Sequence, residues 1–100
     1  MSSIIKVIIP AYNEQNSIGE VIDDIPPIVD EIIVVNNNST DATERVAKTA
    51  GATVVNELKR GYGHACLKAM SYISLQHPKP DIIVFLDGDY SDYPEQLTQL

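Results

Sequence analysis

The chain has 100 residues, room for one domain at roughly 100 to 200 residues each, and with 44% hydrophobic and 21% charged residues its composition is globular, which excludes disordered and low-complexity classes. Its 14 acidic and 7 basic residues leave a net charge of -7, the wrong sign for gripping a nucleic-acid backbone, so no nucleic acid is expected; a phosphorylated ligand fits only where a divalent cation bridges carboxylate and phosphate. The single cysteine, Cys66, rules out an intrachain disulfide and fits a reducing compartment, so a cytoplasmic location is expected.

Met1 to Lys6 lacks a basic segment leading into a long apolar run, which predicts neither a signal peptide nor a spanning helix. Ile4 to Pro10 (IIKVIIP) is a β-branched run closed by proline, the pattern of a strand buried on both faces of a parallel sheet. From Ser17 the spacing changes to that of a helix, with Ile18, Val21, Ile22 and Ile25 on one side, Ser17 and Glu20 as a capping pair, and Pro26-Pro27 as the stop. Glu31 to Asn36 (EIIVVN) predicts a second strand; Asp41 and Glu44 cap a second helix that turns Ala42, Val46, Ala47 and Ala50 inward and ends at Gly51. Thr53 to Asn56 predicts a third strand, Arg60-Gly61-Tyr62-Gly63 a turn, and Ala65, Cys66, Ala69, Met70 and Ile73 the inner face of a third helix broken at His77-Pro78-Lys79-Pro80. Ile82 to Leu86 (IIVFL) predicts a fourth strand, after which Asp87-Gly88-Asp89 turns the chain and Pro94 opens another helix.

Alternation of buried strand and amphipathic helix predicts an α/β domain: a Rossmann-like parallel sheet flanked by helices, with residues 1–100 as a single domain. The polar clusters Tyr12-Asn13-Glu14, Asn36-Asn37-Asn38, Arg60-Gly61 and Asp87-Gly88-Asp89 each follow the carboxyl end of a strand, the edge at which open α/β sheets bind ligands. The first turn, PAYNEQNS, lacks G-x-G-x-x-G, and no G-K-[ST] occurs, so neither a dinucleotide fingerprint nor a P-loop is present. Asp87 and Asp89, two residues apart in a turn, can face one hard cation; a bare D-x-D is weak, but this one ends an apolar strand and precedes Asp92 and Pro94-Glu95. The alternative for such aspartates is solvated capping.

Together PAYNE, VVNNNSTDAT, RGYGHA and FLDGDYSDYPEQL, one after each strand, make the chain resemble family 2 glycosyltransferases of the GT-A fold, most of all the polyprenyl- and dolichyl-phosphate sugar transferases. The likeness runs from Ile4 to Leu100 and implies the amino-terminal, nucleotide-sugar half of a truncated GT-A catalytic domain, its acceptor half lying elsewhere. It implies inverting, metal-dependent transfer of a sugar from a UDP- or GDP-linked donor to an acceptor such as a polyprenyl phosphate or a cell-envelope glycan, at the cytoplasmic membrane face in the whole protein. By resemblance, Pro10, Ala11, Tyr12, Glu14, Asn36, Arg60, Gly61, Asp87 and Gly88 bind the nucleotide sugar, and Asp89 with Asp87 holds Mg2+ or Mn2+.

Asn36 stands where that family usually has aspartate; an amide still accepts through its oxygen but adds two donors and no charge, which leaves uracil and guanine both open. Asn37, Asn38 and Ser39 read as turn and cap residues. His64 and His77 have no partners at metal-ligand spacing, and Cys66 reads as a packing thiol. No catalytic base is assignable within the chain. An aspartyl phosphohydrolase also places D-x-D after a strand, but after the first and with Thr or Val where this chain has Ser91. A nucleotide-binding module without turnover is the other alternative. The fourth strand, with no further neighbour, is expected to leave an open edge through which the fragment self-associates.

Overall fold

The computed structural model describes residues 3–76 and 79–86. Seven elements alternate: β1 (Ile5–Ala11), α1 (Ile18–Asp23), β2 (Glu31–Asn36), α2 (Thr43–Thr49), β3 (Thr53–Asn56), α3 (Tyr62–Ser74) and β4 (Ile82–Phe85). The strands form one parallel sheet in the order β3-β2-β1-β4, with Lys6 opposite Glu31, Ile33 opposite Thr53 and Ile5 opposite Ile82. The reversal of strand order beside β1 places crossovers on both faces of the sheet, as right-handed connections require.

Side chains alternate across a strand, and β1 is apolar at both parities because both faces are covered. Val7 and Ile9 pack with Ile18, Val21, Val34 and Ala47 under α1 and α2. Ile8 packs with Ile33, Val35, Ala65, Ala69 and Ile73 under α3. β3 and β4 are edge strands among the described residues, and β4 leaves Ile82 and Phe85 43% and 38% exposed.

The helices depart from the sequence reading at their ends and flanks. α1 stops at Asp23, before Pro26, and Ser17 makes no side-chain cap. Its hydroxyl donates to the Glu14 carboxylate at 3.4 Å, while the Glu14 carbonyl accepts the Ser17 and Ile18 N–H groups at 3.0 and 2.8 Å. The Ser17 hydroxyl is thus turned back toward Glu14 and away from the N–H groups inside the helix, so the expected capping box does not form. α3 begins at Tyr62, inside the predicted turn, and buries only Ala65, Ala69 and Ile73; Met70 is 42% exposed and Cys66 half-buried. A helix lying on a single sheet needs only a narrow inner stripe.

A polar cluster braces α3 at the amino-terminal edge of the sheet. The buried Lys6 ammonium donates to Glu31 at 2.8 Å and also to Gln76. The other Glu31 oxygen accepts from Tyr72 at 2.7 Å and Thr53 at 2.9 Å. Burial pushes the Glu31 carboxyl up, but hydrogen bonds from Lys6, Tyr72, Gln76 and Thr53 outweigh it and hold the pKa at about 2. The hydrogen bond that Tyr72 donates to Glu31, with burial and the Glu31 charge behind it, in turn pushes the Tyr72 phenol up.

Candidate functional site

The carboxyl ends of the strands open onto a cleft of about 250 Å³ lined by Pro10, Ala11, Tyr12, Glu14, Asn37, Arg60, Gly61 and Tyr62. β1 carries the first wall. The Ala11 carbonyl accepts the Asn37 N–H at 2.8 Å, so the β1–β2 ladder continues one step past the strands and fixes the cleft floor.

Beyond Ala11 the first loop is tied to the loop after β2 by reciprocal bonds. Asn13 and Asn38 both adopt positive φ, 52° and 63°, a conformation asparagine tolerates better than most residues. The Asn13 side-chain oxygen accepts the Thr40 N–H at 2.8 Å, and the Asn13 N–H donates to the Ser39 hydroxyl at 3.0 Å. Gln15 repeats the exchange, donating its N–H to Asp41 at 3.3 Å and accepting the Ala42 N–H at 3.1 Å. The wholly buried Thr43 hydroxyl donates to Asp41 and accepts the Glu14 N–H at 2.8 Å. Partial burial pushes the Asp41 carboxyl up, yet the Thr43 hydroxyl and N–H and the Gln15 N–H hold it below the usual carboxylate range. Asp41 therefore acts in holding the two loops together and in starting α2, where Ala42 is the formal cap.

The opposite wall comes from the loop between β3 and α3. Arg60 lays its guanidinium over the Tyr12 ring, 3.5 Å from the centroid, a cation–π contact spanning the cleft. Gly61, at φ 127°, starts α3 in a backbone conformation that side chains rarely adopt. Asn37 joins this loop to β2: its amide nitrogen donates to the carbonyls of Glu57 and Lys59 at 3.1 and 2.7 Å, and its oxygen accepts the Gly61 N–H at 2.9 Å.

Of the residues named from sequence, the structure brings Pro10, Ala11, Tyr12, Glu14, Arg60 and Gly61 to one cleft. Asn36 lies beside it, buried, donating to Asn56 at 2.9 Å and accepting the Ser39 N–H at 3.3 Å, and is not among the lining residues. Asn37 and Tyr62 line the cleft without having been singled out for it. Asp87, Gly88 and Asp89 fall outside the described residues; Leu86, the last described, donates its N–H to the Ile8 carbonyl at 3.0 Å and so leads the chain alongside β1. Among the described residues no three His, Cys, Asp or Glu side chains converge as a metal site. Nor, among them, is any helix long and apolar enough to cross a membrane. A larger open hollow of about 620 Å³ lies along the charged flank of α2, lined by Asp41, Glu44, Arg45 and Lys48.

Residues 6–100 match the family described as glycosyl transferase family 2, and the chain belongs to that family. It is 39% identical over 102 residues to protein RfbJ of Shigella flexneri, covering 96% of this chain and 75% of that protein. It is 40% identical over 97 residues to glucosyl-3-phosphoglycerate synthase of Mycolicibacterium paratuberculosis, covering 85% of this chain and 28% of the synthase. Among solved structures it resembles glucosyl-3-phosphoglycerate synthase of Mycobacterium tuberculosis in complex with Mn2+, uridine-diphosphate-glucose and phosphoglyceric acid, with a TM-score of 0.81, 34% identity, and 98% of this chain and 38% of that one covered. The fold is thus that of GT-A glycosyltransferases, and the chain spans a little over a quarter of the curated synthase.

Proposed function

We propose that this chain is the nucleotide-sugar-binding part of a glycosyltransferase that takes a hexose from a UDP- or GDP-linked donor and passes it to an acceptor with inversion at the anomeric carbon. The observation that carries this reading is the cleft at the carboxyl edge of β1, β2 and β3, walled by Glu14, Tyr12 and Arg60, in a chain with 34% identity to a synthase solved with Mn2+ and uridine-diphosphate-glucose. That likeness favours uracil over guanine as the base.

The residues divide the work by chemistry. The Glu14 carboxylate accepts from ribose or base, and its direction is set by the Thr43 hydroxyl beneath its N–H. Ala11 carries only a methyl group and Gly61 no side chain, which leaves room for the nucleoside between them. Arg60 rests on Tyr12 and, on binding, turns its planar fork to the diphosphate, where phosphate oxygens accept two N–H bonds at once. Asp89 and Asp87 would hold Mg2+ or Mn2+, whose charge offsets the negative charge developing on the departing nucleoside diphosphate. An acceptor that arrives ionised, such as a polyprenyl phosphate, needs little help from a base; a hydroxyl acceptor needs one from outside this chain.

Titration with UDP, GDP and their glucose and mannose conjugates, with and without Mn2+, tests the reading by calorimetry. Saturable, Mn2+-strengthened binding of one nucleotide family is expected. Absence of binding to all of them in a folded chain overturns it.

A further inference from the structure

We infer that Asn37 is a positioning residue for Arg60, fixing the backbone from which that side chain reaches across the cleft; the inference deepens the nucleotide reading and rests on it for its consequence. The Asn37 side chain is buried, 6% exposed, and its three hydrogen bonds all go to main-chain groups of the segment 57–61. Two of them bracket one residue. The Lys59 carbonyl that accepts from Asn37 at 2.7 Å belongs to the peptide unit before the Arg60 Cα. The Gly61 N–H that donates to Asn37 at 2.9 Å belongs to the peptide unit after it.

Peptide units are planar, so the only soft torsions between these two are φ and ψ of Arg60. One amide that grips both planes therefore sets both torsions. Arg60 is otherwise an exposed side chain on an exposed loop, where a long, flexible guanidinium would sample many rotamers. Its stack on Tyr12 at 3.5 Å fits a side chain that springs from a backbone held in one orientation. The pairing also explains an amide here: it needs a donor for the Lys59 carbonyl and an acceptor for the Gly61 N–H in one planar group, which among neutral side chains of this length only asparagine provides.

Asn37→Ala removes the clamp, and Asn37→Asp keeps size and the acceptor for Gly61 but turns an oxygen toward the Lys59 carbonyl. Two readouts apply to each: the ring-current shift that Tyr12 imposes on the Arg60 side-chain protons by NMR, and affinity for UDP with Mn2+ in chains carrying either Arg60 or Arg60→Ala. Both variants are expected to lose the ring-current shift. UDP affinity is expected to fall about tenfold where Arg60 is present, the size of one lost charge-assisted contact, and by under about twofold where it is already alanine. Persistence of the shifted resonances in a folded variant, or an equal loss of affinity in both backgrounds, overturns the inference. Should neither variant fold, Asn37 serves the fold alone and the inference falls. A wild-type chain that shows the stack, loses it in the variants and yet binds no nucleotide overturns the nucleotide reading while leaving the clamp in place.

Discussion

The Glu14 N–H donates to the Thr43 hydroxyl at 2.8 Å across 29 residues of sequence. The same hydroxyl gives its own proton to Asp41, which also accepts the Thr43 N–H at 2.9 Å. The first turn of α2 thus sets the height of the loop that carries the cleft carboxylate.

Thr43→Val keeps the shape and removes that hydroxyl. Removing the acceptor of the part-buried Glu14 N–H is expected to cost about 1 kcal/mol of stability, measured by urea denaturation. UDP affinity is expected to fall as well, because the Glu14 loop is freed.

Arg60→Lys retains charge but loses the planar face on Tyr12 and the two-pronged grip on phosphate. Affinity for UDP is expected to fall nearly as far for lysine as for alanine at this position, by calorimetry. Recovery of wild-type affinity by lysine would reduce Arg60 to a point charge.

Asp89→Ala is expected to abolish the Mn2+-dependent part of nucleotide-sugar binding while far-ultraviolet circular dichroism and the thermal midpoint stay unchanged. Undiminished Mn2+-dependent binding removes Asp89 from the metal-holding role.

Acid stability reports on the brace at the other edge. The Glu31 pKa is held at about 2 against a usual 4.5, so the folded state binds this proton less readily than the unfolded chain does. That contribution is complete above about 4.5 and is lost as pH falls from there through 2. Glu31→Gln should flatten this part of the stability profile. At neutral pH it should cost about 3 kcal/mol, because Lys6 is left buried without a counter-charge.

β4 presents its outer backbone and the partly exposed Ile82 and Phe85 at one sheet edge among the described residues. Self-association that grows with concentration is expected in sedimentation velocity, and Phe85→Lys should suppress it. A monomer at every concentration contradicts this expectation.

The strands were legible because runs such as IIKVIIP and EIIVVN can only be covered on both faces, and β2 and β3 have the bounds their residues predict. The polar residues at their carboxyl ends were legible for the same topological reason. Helix ends were less so: the Ser17 and Glu20 pattern signals a capping box, but the Ser17 hydroxyl turns back to the Glu14 carboxylate instead. Among Asn36, Asn37 and Asn38 nothing local says which amide faces the cleft. That depends on the Lys59 and Gly61 peptide groups, more than 20 residues away along the chain. The contact of Arg60 with Tyr12 is likewise a product of the sheet, which brings the loops after β1 and β3 together around β2.

The Lys6–Glu31 brace stands at the start of β2 and the Asn37 clamp just past its end, separated by ~20 Å of extended chain at about 3.3 Å per residue. Substitutions at that distance with no shared partner combine additively. The foot of the sheet can therefore be hardened against heat or acid without disturbing how the mouth selects its donor, and the mouth can be rebuilt for another nucleotide on an unchanged foundation.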